Sequence, residues 1–416
     1  MAEQLLARQE RVSHVVREYT RDFPTRVRSP TSTRVQDGDV VLVTGSTGSL
    51  GCYLLTTLLL SPNVRRVYAL NRQSRHGLKD RQRNALIERG LDGDIVDSNK
   101  LVLLIGDIAE PMMGLPLDVY TEMCADLLTR LLAWPVDFVS PLSAYKDTVY
   151  GVRCLVDFAL TAPTLGVPRL LFTSSVVVLM NAPYDGVFPE APVDLQYVIP
   201  NGYSEAKWVA EQVLYAAAAQ TDLDPLVVRI CQLCGGRSSG AWPTNEWVPV
   251  MVDSSNALGY FPGDEKFVDW MTFETGPQVL AEMLRASSPT HTMHLSNPRR
   301  LAWETVARVM SSTLHLRIDP FSDWLNRLEM SVKAVDHPVK KSARASKLMP
   351  FLRALESMNK QSRLAMGHQE VSIEFALLAS PTLSHGSIHI SEEIISQWLV
   401  YWKSNGLLQG IRPARL

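Results

Sequence analysis

Short apolar runs of strand length alternate with helix-period segments along most of this chain, and that alternation predicts the fold. Val40–Val43 forms an apolar strand that enters a glycine-spaced turn and then an apolar helix reaching Leu60. VRRVYALNR (64–72) reads as a second strand, a charged helix follows over 78–89, and LVLLIGD (101–107) is a third strand. The pattern continues with a helix over 144–161, a strand over 169–175, a helix over 204–219 and a strand over 225–233. Strands alternating with helices at this spacing imply an α/β fold, a Rossmann-type doubly wound parallel sheet. Ahead of it, Leu5, Val12, Val15, Val16 and Tyr19 are spaced for an amphipathic helix packed on the body. Beyond Gly235 the pattern changes to a loop, GGRSSGAWPTNEWVP, and then to mixed helical segments. The strand-like stretch His291–Leu295 is expected to return to the sheet.

Composition narrows the classes without choosing one. The chain has 416 residues, 46% of them hydrophobic, enough for a full core. A net charge of −2, from 41 basic and 43 acidic residues, gives no electrostatic footprint for nucleic acid. No apolar run is long enough to span a membrane, and Met1–Thr20 is charged throughout with no apolar leader pattern. Five cysteines, an odd number without framework spacing, fit a reducing compartment and a cytoplasmic protein. Cys231-Gln-Leu-Cys234 lacks the second ligand pair that zinc needs. It reads as two partly buried thiols at a strand end, and no metal is expected. The basic stretch HPVKKSARASK (337–347) reads as a solvated helix or loop.

The chemistry concentrates in two places. The turn Gly45-Ser46-Thr47-Gly48-Ser49-Leu50-Gly51 lies between strand and helix, where glycines let backbone amides approach a pyrophosphate at the helix N-terminus. At the end of the second strand, a carboxylate would select a free ribose hydroxyl; this chain has Asn71 and Arg72, with Arg75 close behind. A guanidinium there favours a 2′-phosphate, hence NADPH. Asp107, followed by Ile108, ends the third strand where the adenine edge would lie. Downstream, Tyr203 and Lys207 stand one helical turn apart, so an ammonium would lower the phenol's pKa and ready it as a proton donor. Thr173-Ser174-Ser175 ends the preceding strand and offers hydroxyls to the same reacting oxygen.

On these residues the chain resembles an extended short-chain dehydrogenase/reductase. More narrowly, it resembles the terminal thioester reductase domains of nonribosomal peptide synthetases and of aminoadipate-type adenylate-forming reductases. The resemblance is carried by VLVTGSTGSLG (41–51), VYALNR (67–72), the GD and PMMGL pair (106–107, 111–115) and AWPVDF (133–138). It continues through NGYSEAKWVAEQVL (201–214), VVRICQLCGGRSSGAWPTNEWVPVMVDSS (227–255) and WLVYW (398–402). It implies a catalytic triad of Ser175, Tyr203 and Lys207, with Lys207 also holding the nicotinamide ribose. It further implies a partner, a phosphopantetheinyl carrier protein, whose acyl or peptidyl thioester is released as an aldehyde or carried on to the alcohol. Two departures stand out: Leu131 and Leu132 replace a usual His/Asn pair after a segment, DLLTR (126–130), that is unlike a strand, and Cys231 stands where glycine is usual. Neither an adenylation motif nor a carrier serine is found; Gly235–Ser238 sits in a loop after a sheet strand. The expected division is a helical flank over 1–36, a dinucleotide-binding part over 37–245 and a smaller, mainly helical substrate-binding part over 246–416, with 266–298 rejoining the sheet. A fatty acyl-CoA or small-carbonyl reductase, and a catalytically weak NADPH-binding scaffold, remain as alternatives.

Overall fold

The computed structural model describes residues 2–26, 38–75, 77–126, 129–132, 140–161, 169–183, 186–334, 343–385 and 389–408. The AWPVDF segment and most of the basic stretch lie outside them, as do the side chains of Leu131 and Leu132. The sheet is built from β1 (Asp39–Thr44), β2 (Val64–Asn71), β3 (Leu101–Ile105), β4 (Thr129–Leu132), β5 (Arg169–Ser175) and β6 (Pro225–Ile230), joined by the strand Thr292–Leu295. Among the described residues it has seven parallel strands, ordered from the Thr292–Leu295 strand through β6, β5, β4, β1, β2 to β3. Strand order reverses between β1 and β4, and the crevice above the carboxyl ends at that point is where a doubly wound sheet binds its ligand.

Burial explains why the strands read as continuous apolar runs. Val40, Val41, Leu42 and Val43 of β1 are fully covered, as are Leu170, Leu171 and Phe172 of β5, because helices cover both faces. The covering helices include α1 (Ala2–Tyr19), α2 (Ser49–Leu60), α3 (Leu78–Ile87), α4 (Leu117–Asp126), α5 (Lys146–Thr161) and α6 (Gly202–Gln220). α6 begins where Asn201 Oδ1 accepts from the Ser204 amide at 2.8 Å, a capping contact that fixes the helix start one residue before Tyr203. α1 is tied down by Arg8, whose Nε donates to Glu205 at 2.8 Å and whose Nη2 donates to the Val198 carbonyl at 2.7 Å.

Two expectations are corrected. The DLLTR segment is partly strand: Thr129 and Arg130 open β4, in register with Val41 and Leu42 on one side and with Arg169 and Leu170 on the other. Ladders on both sides hold this short segment extended. The strand expected to run to Leu233 instead ends at Ile230. The Cys231 amide still donates to the Leu295 carbonyl, but Leu233–Cys234 pairs with Met271–Thr272 in a separate two-stranded sheet. The chain changes sheets there, and the following loop packs against α2 and the end of α3, where the Ser239 hydroxyl donates to the Arg89 carbonyl at 3.2 Å.

That loop is clamped from far along the chain. In the helix Glu392–Ser404, Trp398 Nε1 donates to the Gly235 carbonyl at 3.1 Å and Trp402 Nε1 to the Trp242 carbonyl at 3.0 Å. Trp242, Trp270, Trp303, Trp398 and Trp402 are all fully buried, and Trp242 meets Trp398 edge-to-face at 5.0 Å and Trp270 at 5.6 Å. The loop delivers its last residue, Glu246, to the start of α7 (Trp247–Leu258).

Candidate active site

The glycine turn is built as a cradle. Gly45 takes a left-handed φ of 70°, the Gly48 amide donates to the Gly45 carbonyl at 2.9 Å, and a Cβ on Gly51 would stand 2.0 Å from that carbonyl oxygen. Only glycine lets α2 start so close to the turn. No side chain caps the start of α2, so its first amides and the positive end of its dipole are available to an anion. Thr47, Ser49 and Leu50 complete the rim, and Thr47 Oγ1 accepts from Arg81 Nη2 at 3.2 Å.

Ser46 faces the other way. Its hydroxyl accepts from Asn71 Nδ2 at 2.8 Å and donates to Gln82 Oε1 at 2.7 Å, while Gln82 Nε2 returns to the Ser46 carbonyl at 3.0 Å. All three residues are buried, so Asn71 locks the turn to the end of β2 rather than facing a ribose, and Ser46 offers a ligand only its backbone. Arg72 and Arg75 are exposed and line a cleft of about 200 Å³ with Gln73, Ser74, Gly77, Leu78 and Ile105. Arg81, which sequence reasoning missed, spans from α3 to the Arg72 carbonyl at 3.0 Å and to Thr47. The signal was an arginine one turn into the helix that follows β2. Asp107 is held in a tight turn, its Oδ1 accepting from the Ala109 amide at 3.0 Å, and Ile108 packs against α5 at Gly151.

The catalytic candidates meet at the ends of β5 and α6. The Ser175 hydroxyl accepts from the Val177 amide at 3.3 Å and lies near enough to the Tyr203 phenol to favour its ionised form. Lys207 Nζ donates to the Thr173 carbonyl at 2.7 Å, 4.8 Å from the Phe172 ring centre and 5.7 Å from that of Tyr203. Ser175, Tyr203 and Lys207 thus form one group. The expected lowering of the phenol's pKa is not found. Burial raises it, the neighbouring Tyr145 and Glu246 add to the rise, and Ser175 opposes them. Burial likewise drives the Lys207 ammonium well below its ordinary value, against the pull of Glu211. In this apolar setting desolvation is the largest cause of both shifts.

Beneath this group lies a buried ion pair that sequence reasoning also missed. Arg229 Nη2 donates to Glu211 Oε2 at 2.7 Å, both side chains fully buried, and Glu211 Oε1 accepts from Ser174 at 2.5 Å. It locks α6 onto β5 and β6 and so fixes Tyr203 and Lys207 relative to Ser175. At the far side, Glu246 Oε2 accepts from Trp242 Nε1 at 2.8 Å and from Gln232 Nε2 at 3.4 Å, and Gln232 Oε1 accepts from Trp247 Nε1 at 2.7 Å. Burial pushes the Glu246 carboxyl up to about 7, with the two N–H donors opposing it. Burial also raises the Cys231 and Cys234 thiols well above their usual range, and the Asp269 carboxylate adds to the rise at Cys231. Both therefore stay protonated and unreactive.

A dinucleotide cradle and a buried Ser–Tyr–Lys group at the carboxyl ends of β1 and β5, on either side of β4, define an oxidoreductase of the extended short-chain dehydrogenase/reductase class, with a nicotinamide dinucleotide as cofactor. Residues 43–274 match the NAD-binding family described as Male sterility protein, and the chain belongs to that family. It is similar to an adenylate-forming reductase, Nps10, of Heterobasidion annosum, at 34% identity over 96% of this chain and 37% of that protein. The chain spans about a third of the length of the curated relatives it matches. Among solved structures, the terminal R domain of the myxalamid PKS-NRPS pathway superposes with a TM-score of 0.79 at 20% identity, covering 96% of this chain and 100% of that one. A thiolation-reductase di-domain from an archaeal non-ribosomal peptide synthetase superposes with a TM-score of 0.69 at 16% identity, covering 95% and 80%. No helix among the described residues is long and apolar enough to cross a membrane.

Proposed function

We propose that this chain is an NADPH-dependent thioester reductase. It would take an acyl or peptidyl group from the phosphopantetheine arm of a carrier protein and release it as an aldehyde. The observation that carries the reading is the meeting of Ser175, at the end of β5, with the Tyr203 phenol, and with Lys207 one turn along the same helix, its Nζ 5.7 Å from the Tyr203 ring centre. The cradle at Gly45–Gly51, where a side chain would collide with the Gly45 carbonyl and the amides of α2 are uncapped, fits a pyrophosphate. Arg72 and Arg75, in the cleft beyond β2, supply the charge that favours a 2′-phosphate. The bound nicotinamide would supply the hydride.

The protein's part follows from the geometry. Ser175 and Tyr203 hold the thioester carbonyl oxygen by hydrogen bonds, and Tyr203 gives that oxygen its proton as negative charge develops there. The raised pKa keeps Tyr203 protonated until that moment. Lys207, fixed by the Thr173 carbonyl, faces the phenol across the same helix turn and stabilises it once deprotonated. The similarity to an adenylate-forming reductase, to the R domain of a PKS-NRPS pathway and to a thiolation-reductase di-domain supports a carrier-linked thioester as substrate. The test is incubation with NADPH and an acyl-pantetheine thioester, following absorbance loss and trapping aldehyde. Turnover of acyl-CoA but not of the carrier-linked acyl group would favour the acyl-CoA reductase alternative. Cofactor binding without turnover on either substrate would overturn the enzymatic reading in favour of a scaffold.

A further inference from the structure

Reduction of a thioester needs two proton deliveries, and the Ser–Tyr–Lys group accounts for one. Hydride on the carbonyl carbon and the Tyr203 proton on its oxygen give a hemithioacetal. Its collapse expels the pantetheine sulfur, and a proton given to that sulfur as the C–S bond breaks carries the step through to the thiol. The second donor should be a carboxylic acid near the phenol, anchored at one oxygen, open at the other and without a counter-cation to keep it ionised.

Glu246 meets each condition. Oε2 is fixed by the Trp242 indole and the Gln232 amide, and Gln232 is itself set by the Trp247 indole and the Leu233 carbonyl. Oε1 makes no hydrogen bond among the described residues, and the residue keeps partial exposure to solvent. Among the described residues no lysine, arginine or histidine is paired with it; the titratable groups that feel its charge are Tyr203 on α6 and Cys234 after β6, with His368 packed over the adjoining Trp247 ring. Gln232 lies two residues beyond Ile230, which stands in register with Ser175 across β5 and β6, so its bond to Glu246 sets the carboxyl at the sheet end that carries the Ser–Tyr–Lys group.

The geometry points to Glu246 as the acid that protonates the departing sulfur, an inference that rests on the thioester-reducing reading above. In the collapse, the Tyr203 phenolate takes back the hydroxyl proton and the carbon–oxygen double bond re-forms. The C–S bond breaks with its electron pair on sulfur, and the Glu246 hydroxyl supplies the proton that makes the thiol. The carboxylate left behind recovers a proton from water through its exposed side. One proton from solvent and one hydride are consumed per aldehyde and thiol formed. A carboxyl held up near 7 is protonated often enough to serve at neutral pH.

The experiment compares Glu246→Gln with wild type on two esters of the same acyl group, an S-pantetheine thioester and an S-phenyl thioester whose thiolate leaves without help. Glutamine keeps the acceptor for Trp242 but cannot donate a carboxylic proton. The expected result is a fall in kcat/KM of about 10²-fold on the pantetheine ester, shrinking to a few-fold on the phenyl ester. Wild-type kcat/KM on the pantetheine ester should decline above about pH 7, and Glu246→Gln should lack that limb. Equal losses on both esters, or no loss, would overturn the role of Glu246 while wild type still reduces both. A wild type that reduces neither would overturn the thioester-reducing reading itself. Bound NADPH, followed by its fluorescence, reports that the variant is folded.

Discussion

The two ends of the crevice are built by opposite means. At the glycine turn every contact that matters is made by backbone or by small polar groups: Gly45, Gly48 and Gly51 shape the loop, and Ser46, Asn71 and Gln82 lock it from within. At the other end the loop ending at Glu246 is held by bulk, through indole N–H groups of residues 160 or more positions away in the chain. The first is a cradle whose shape is intrinsic to a short segment. The second exists only when the last helix is docked. A ligand common to many enzymes can be met by the former, whereas a variable acyl group calls for a wall that tertiary packing can reshape.

That contrast can be broken experimentally. Tyr203→Phe, between the two ends, should reduce turnover by about 10³-fold while cofactor affinity stays within a few-fold, checked by steady-state kinetics and NADPH titration. Trp398→Ala removes a fully buried indole and the donor to Gly235, and should cost about 3–5 kcal/mol of stability in denaturant unfolding. If the far end is separate in construction, cofactor affinity of the still-folded variant should change far less than turnover. Ser46→Ala leaves Asn71 and Gln82 without their shared partner, costs about 1–3 kcal/mol, and should weaken the cofactor more than the acyl substrate, the reverse of Trp398→Ala. Glu246 sharpens the comparison through pH. Its carboxyl is raised from 4.5 to about 7 in the fold, so its contribution to stability is complete below pH 4.5 and is lost as pH rises through 7. Unfolding of wild type and Glu246→Gln across that window should show wild type losing ground with rising pH. Arg72→Ala should narrow the preference for NADPH over NADH about tenfold, read from the two kcat/KM values.

The difference between the ends also decides what could be read from sequence. The alternating strands and helices, the glycine turn and the Tyr203–Lys207 pair are local patterns of period 2, 3.6 or fixed spacing, and each is visible in a few consecutive residues. β4 was not, because it is only four residues long, Thr129–Leu132, too short to show a period, and it is defined by the ladders on either side. The inward turn of Ser46 and Asn71, the Glu211–Arg229 pair and the anchoring of Glu246 are contacts between elements, and no spacing announces them. The protonation of Tyr203 was expected with the wrong sign, because the lysine was counted and the burial of both groups was not.

Six indoles in one cluster, two of them bonded to carbonyls of the loop that ends at Glu246, give the protein a built-in optical gauge. Emission from that cluster changes whenever the last helix lifts away, so light alone can follow the shaping of the acyl wall while carrier and cofactor come and go.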